Sequence, residues 1–130
     1  MLVVDSCAWI EWMANGPRAV DVAGHLASPS ILVPTLVVFE VHKWLARERG
    51  DDVADAAVGA LRSLEIVDLD LRVALLASEL GRQYKLATAD SIVLAHARIR
   101  NAQLLTLDAK LGAVPEAIYY AKLTKLVTKP

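Results

Sequence analysis

The chain has 130 residues, of which 55% are hydrophobic and 22% are charged, so it can bury one sizeable core and is not disordered. Its strongest apolar stretch, residues 31–41, contains Pro34 and Glu40 and is far shorter than the roughly 20 residues of a membrane-spanning helix. An acid at position 5 and a single cysteine exclude a signal-peptide pattern and an internal disulfide, and predict a cytoplasmic protein without a membrane segment. The formal net charge of −1 argues, by itself, against a protein that attracts nucleic acid through a bulk positive field.

Short apolar runs alternate with helix-favouring segments along the chain. A strand at 2–4 is followed by helices at 8–14 and 18–27, a strand at 31–33 and a helix from 35 to the stop signal at Gly50. A helix at 51–63, a strand at 66–67, a helix capped by Asp68 or Asp70 that ends at 84, and a helix at 90–100 come next. Strands at 104–107 and 117–120 complete the order. The pattern predicts one α/β domain over residues 1–130 with a short-stranded parallel sheet, and a basic C-terminal tail at about 121–130.

Acidic residues follow the predicted strands or lie on apolar helix faces. Asp5 and Asp108 come directly after strands, and Asp90 precedes an apolar helix. Glu40 has mostly apolar neighbours at helical spacing, where an unpaired carboxylate is costly. Because function in open parallel sheets sits at the carboxyl ends of the strands, these four acids are expected to meet at one edge. Their mutual repulsion would be relieved by a hard divalent cation such as Mg²⁺ or Mn²⁺.

Each acid also has a structural interpretation. Asp5 and Asp90 suit helix N-caps, Asp108 suits a turn, and Glu40 can pair with Lys43. The agreement of chain order, element type and position favours the shared site over four separate structural roles.

In these segments the chain resembles the PIN-domain ribonucleases, specifically the VapC toxins of VapBC toxin–antitoxin modules. The resemblance depends on Leu-Val-Val-Asp-Ser at the start, Val-Val-Phe-Glu-Val around Glu40, Thr-Ala-Asp-Ser around Asp90, and Leu-Leu-Thr-Leu-Asp ending at Asp108. It implies a PIN-like three-layer α/β/α sandwich and a metal-dependent endoribonuclease. The four acids would be the catalytic and metal ligands for one or two Mg²⁺ or Mn²⁺ ions, supported by Ser6 and Thr106. Many relatives carry an aromatic residue where this chain has Leu111, a mild departure.

The resemblance also implies partners: an RNA substrate, a VapB-like antitoxin and a second copy of the chain in a homodimer. Candidate antitoxin-groove residues are Trp9, Trp12 and Met13, which core packing explains equally well. The basic residues that suit an RNA rim, or a merely solvated face, are Lys43, Arg47, Arg82, Lys85 and Arg98.

Other classes of protein fit the sequence less well. No nucleotide-binding glycine loop occurs, and the histidines have no zinc-site spacing. A receiver-like signalling domain would want paired acids after the first strand, where only Asp5 stands. A catalytically inactive PIN-like module that binds RNA or protein predicts a lost acid, and none of the four is missing.

Overall fold

A computed structural model of the protein describes residues 1–123, and it confirms the predicted α/β fold with a parallel sheet. Most of the basic tail predicted at about 121–130 lies outside the described residues. The strands are β1 (Leu2–Val4), β2 (Ile31–Pro34), β3 (Glu65–Val67), β4 (Gln103–Thr106) and β5 (Ala117–Tyr119). The helices are α1 (Ser6–Met13), α2 (Ala19–His25), α3 (Thr35–Arg49), α4 (Asp51–Leu61), α5 (Leu71–Tyr84) and α6 (Thr88–Ile99), with a 3₁₀ turn at Leu111–Ala113. Within residues 1–123, none of these helices is long and apolar enough to cross a membrane.

The sheet is centred on β1, which pairs with β2 on one side and β4 on the other. Its strand order is β3-β2-β1-β4-β5, and all pairs are parallel. The continuous apolar runs of β1 and β2 are buried throughout, as expected for strands covered on both faces. The chain moves outward through β2 to β3 and then crosses back to β4. Right-handed connections therefore put α5 and α6 on the face opposite the helices that precede them, which gives the three layers.

Local signals set the helix boundaries that position the polar residues. Asp5 caps α1 through a hydrogen bond from the Ser6 backbone amide to its Oδ1 (2.9 Å). Gly50, at φ +95°, separates α3 from α4 in a conformation that other residues rarely adopt. Asp70 caps α5 by accepting from the Val73 amide at 2.9 Å. Helix α6 begins at Thr88, two residues earlier than predicted, so Asp90 lies in its first turn and is not the cap.

Candidate functional site

Asp5 is the buried centre of a hydrogen-bonded cluster where β1 and β4 end. Its side chain is 4% exposed, and its Oδ2 accepts hydrogen bonds from Thr106 Oγ1 (2.9 Å) and Cys7 Sγ (3.2 Å). Thr106 Oγ1 in turn accepts from the Asp108 backbone amide at 3.0 Å. The carboxyl ends of two neighbouring strands are thus joined through Asp5 and the Thr106 hydroxyl, which holds Asp108 beside Asp5.

Asp108 lies two residues beyond β4 and has a structural role as well. Its Oδ1 accepts from the Leu111 amide at 2.9 Å and stabilises the 3₁₀ turn, as the turn interpretation predicts. Leu111 is fully buried, so the position that departs from the family pattern belongs to the core in this chain.

The charges of the four acids act on one another across this edge. Burial, followed by the charges of Asp5, Asp108 and Glu40, raises the pKa of Asp90 to about 6, while Lys110 opposes the rise. Burial and the charge of Asp5 raise the pKa of Glu40, and the nearby Ser6 side chain opposes the rise. Burial also raises the pKa of Asp5, despite its hydrogen bonds to Cys7, Thr106 and Ser6. The fold therefore brings the predicted acids to one edge, where negative charge is unfavourable.

A divalent cation fits this edge by its chemistry. All four side chains offer carboxylate oxygens, the donors that Mg²⁺ and Mn²⁺ prefer, and their repulsion favours a positive ion between them. In the described part of the chain, no three ligating side chains converge tightly enough to form a finished metal site.

The basic residues proposed for a rim lie in three different places. Lys43 and Arg47 share a cavity of about 290 Å³ with Ser6 and Glu40, beside the acids. Arg82 and Lys85 are exposed at the end of α5 and in the turn that precedes α6.

Arg98 is occupied by an ion pair. Its Nε and Nη2 contact the two Glu116 carboxylate oxygens at 2.5 and 2.9 Å, and its guanidinium lies 5.6 Å from the centre of the Tyr84 ring. Arg98 is thus bound to its own fold, whereas Lys43 and Arg47 face the acidic edge.

Trp9, Trp12 and Met13 combine core and surface positions. Trp9 is 3% exposed and packs edge-to-face on Trp12, whose side chain is 42% exposed. With Met13, both line a cavity of about 180 Å³ beside α4, and Trp12 and Met13 extend into a second cavity of about 500 Å³ along the same helix. Trp9 belongs to the core, and Trp12 and Met13 form an apolar surface groove.

Sequence reasoning missed two residues that contact or influence the site. Lys110 is the cation that acts on Asp90, and its signal was its place two residues after Asp108. Cys7 is the second such residue: its thiol donates a hydrogen bond to Asp5 Oδ2 at 3.2 Å and accepts one from the Leu107 amide at 3.4 Å. Burial and the Asp5 charge raise the pKa of the Cys7 thiol to about 12, so it is protonated at neutral pH.

The fold and the edge define an α/β protein with a carboxylate cluster at the carboxyl end of a five-stranded parallel sheet. The family model of the PIN domain matches residues 2–117. The chain therefore belongs to the PIN-domain family. No curated protein sequence matches it significantly.

Several solved structures share the fold. A toxin–antitoxin complex from Klebsiella pneumoniae has a TM-score of 0.79 and 22% identity, covering 94% of this chain and 100% of the other. VapC20 of Mycobacterium tuberculosis, a sarcin–ricin loop-cleaving toxin, has a TM-score of 0.76 and 20% identity, covering 87% and 94%. VapBC2 from Rickettsia felis, bound to a promoter DNA fragment, has a TM-score of 0.72 and 16% identity, covering 93% and 98%. At these identities the likeness establishes the fold.

Proposed function

We propose that this chain is a metal-dependent endoribonuclease that hydrolyses phosphodiester bonds in RNA as the toxin of a toxin–antitoxin pair. The observation that carries the proposal is the coupling of Asp5, Glu40 and Asp108 to Asp90 at one sheet edge, an arrangement that a divalent cation would stabilise. Membership of the PIN family and the likeness to toxin–antitoxin structures support the biological role.

In this proposal Asp5, Glu40, Asp90 and Asp108 hold one or two Mg²⁺ or Mn²⁺ ions. When bound, the metal lowers the pKa of a water nucleophile and stabilises charge on the scissile phosphate. Thr106 keeps the Asp5 carboxylate oriented through its 2.9 Å hydrogen bond. The Ser6 side chain lies near Glu40 and favours the ionised form of its carboxylate. The protein's own contribution is a set of carboxylates at one edge of the sheet, of which Asp5 is buried and hydrogen-bonded before the substrate arrives.

Asp5→Asn tests the proposal. Asparagine preserves the cap of α1 and the side-chain volume but removes the charge, so RNA cleavage should fall at least about 100-fold while the fold persists. The matched control is Asp55→Asn, because the Asp55 side chain is 73% exposed and pairs only with His42 among the described residues. Cleavage of a mixed RNA pool is measured with Mg²⁺, Mn²⁺ or a chelator, and circular dichroism verifies folding.

A second measurement separates metal binding from activity. Mg²⁺ or Mn²⁺ should raise the melting temperature of the wild type and of Asp55→Asn but not of Asp5→Asn, because only the intact site binds the ion. Cleavage in the chelator, or wild-type cleavage by Asp5→Asn, contradicts the proposal. Folded protein that binds RNA but cuts none favours the alternative, an inactive PIN-like binding module.

The partners belong to the same proposal. The groove of Trp12 and Met13 beside α4 suits the apolar face of a VapB-like antitoxin, because exposed aromatic anchors are typical of protein interfaces. A homodimer of the toxin is expected as well. Light scattering of the chain alone, and with the product of a small neighbouring reading frame, measures both assemblies.

A further inference from the structure

The surface of α3 next to Glu40 carries an exposed aromatic ring. Phe39 is the only phenylalanine of the chain, yet its side chain is 59% exposed. Lys43 and Arg47 follow at intervals of four residues, so the three side chains form one ridge along the helix. None of the three side chains is buried in the core, and none is a proposed metal ligand.

The ridge borders a groove that begins at the acidic edge. A cavity of about 290 Å³ is lined by Ser6 and Glu40 at one end and by Phe39, Lys43, Trp44 and Arg47 along its length. Arg47 lies one helical turn, about 6 Å, beyond Lys43 along the axis, a distance comparable to one nucleotide step of an extended strand. The groove therefore leads away from the candidate site past one ring and two cations.

Both cations on the ridge are available to a ligand. The Lys43 Nζ lies 5.7 Å from the centre of the Phe39 ring, and Lys43 makes no ion pair within residues 1–123. The Arg47 Nε contacts Glu48 Oε2 at 2.9 Å, but both side chains are exposed, so this pair is weak and easily exchanged. The ridge thus presents a ring that is more than half exposed, with the Lys43 ammonium group over it, and two positive charges.

We propose that Phe39, Lys43 and Arg47 bind single-stranded RNA, with one base stacked on the Phe39 ring and the adjoining phosphates against the two cations. This inference rests on the proposed ribonuclease function and identifies the form of its substrate. Stacking on a side chain needs an unstacked base, which single strands and loops supply and a regular duplex does not. The base would lie next to Glu40, so the ring would position the strand for cutting at the acidic edge.

The same chemistry disfavours a second copy of the chain as the occupant. A two-fold contact centred on Lys43 would bring the Lys43 ammonium groups of both copies, which carry the same charge, against each other. An RNA strand instead supplies the negative charge that these cations lack.

The test measures binding without cleavage. In the Asp5→Asn background, fluorescence anisotropy gives the Kd for a labelled single-stranded oligonucleotide. Phe39→Leu, which keeps an apolar side chain, should raise the Kd by about 5-fold to 100-fold, and Phe39→Tyr should restore it to within about twofold. Val20→Ala is the control on α2, since Val20 is 85% exposed and does not line the groove, and it should leave the Kd unchanged.

An abasic scan identifies stacking directly. In the Asp5→Asn parent, removing the base at one position of the strand should raise the Kd. In Phe39→Leu, removing the same base should not raise the Kd any further. Lys43→Gln and Arg47→Gln should each lower the slope of log Kd against log salt by about 0.7, the value for one phosphate of a single strand.

Four outcomes overturn the inference. These are an unchanged Kd in Phe39→Leu, equal effects of abasic sites in both proteins, no binding of single-stranded RNA by the folded parent, and a change of oligomeric state in Phe39→Leu by light scattering. Loss of antitoxin binding in Phe39→Leu with RNA affinity intact would likewise assign the ridge to the protein partner. If RNA binding depends on Phe39 but the wild type cuts no RNA with either metal, the ribonuclease proposal fails and the binding ridge stands.

Discussion

Helices α5 and α6 approach closely at Gly81, and adding one methyl group there tests how this contact supports the site. A Cβ atom at Gly81 would lie 2.7 Å from Ser91 Oγ and 3.4 Å from Ser91 Cβ. Ser91 has little freedom to move away, because it is buried and its hydroxyl donates to the Ala87 carbonyl oxygen at 2.8 Å. It also follows Asp90 directly, so a shift of Ser91 would displace one of the proposed ligands.

Two opposing effects determine the stability of Gly81→Ala. Alanine is better than glycine inside a helix by about 1 kcal/mol. Overpacking a close contact costs about 1–3 kcal/mol, and rotating the Ser91 hydroxyl away loses a hydrogen bond worth about 1 kcal/mol. The clash should prevail, with a net loss of about 1–3 kcal/mol in the free energy of unfolding.

Gly59→Ala in α4 is the matched control. A Cβ at Gly59 meets no atom within 4 Å, so only the helical preference acts, and stability should rise by about 0.5–1 kcal/mol. Urea denaturation of both variants measures the difference. In the double variant Gly81→Ala/Ser91→Ala the nearest clash is absent, and the alanine at 81 should cost less than it does alone. If Gly81→Ala stabilises the protein as much as Gly59→Ala does, the close packing of α5 on α6 is refuted.

Three further substitutions test ionisable groups that are buried or partly buried. Burial lowers the pKa of His96, and within residues 1–123 its Nε2 has no hydrogen-bond partner, so the fold prefers the neutral ring. Unfolding therefore takes up a proton, and stability should decline as the pH falls below the ordinary histidine value of 6.5. His96→Leu should remove that part of the decline, and equal pH profiles of the two proteins between pH 8 and 5 would contradict the reasoning. The hydrogen bonds of Arg98 lower the pKa of Glu116, so this pair contributes stability above pH 4.5 that is lost as the pH falls through the lowered value. Glu116→Gln should lower the free energy of unfolding by about 1–3 kcal/mol at pH 7, measured by thermal melting. Arg98→Gln should reduce the stability of the fold more than it reduces the affinity for RNA. A larger loss of RNA affinity than of stability would indicate that Arg98 binds RNA.

Much of the fold was predictable because its signals are local. The strands β1 and β2 are continuous apolar runs, the composition that a strand buried on both faces requires. Gly50 separates two helices through its own backbone conformation, and Asp70 caps α5 with its own side chain. The placement of Asp5 and Asp108 at one edge follows from the parallel sheet, since both residues come after strand ends.

The remaining features depend on contacts between distant segments. The pairing of Arg98 with Glu116 joins α6 to the segment before β5, and nothing in either local sequence indicates it. Phe39 ends an apolar run that starts at Leu36, so the sequence alone suggests a core residue. Only the rotation of α3 against the sheet, which buries Val37 and Val41, turns Phe39 towards solvent beside Glu40.

The whole-chain charge of −1 describes neither the acidic edge of the sheet nor the rest of the chain. Four of the 15 acidic residues share one edge, so the rest of the chain sets 14 basic residues against 11 acidic ones and carries +3. Burial, followed by the charges of the other three acids, raises the pKa of Asp90 to about 6, and those charges would also repel a phosphate. An RNA strand can therefore be attracted along the ridge of Lys43 and Arg47 while it is rejected from the edge itself. One divalent cation among the four carboxylates would halve their formal negative charge and two would cancel it, so the ion that supplies the chemistry would also weaken the repulsion of the scissile phosphate.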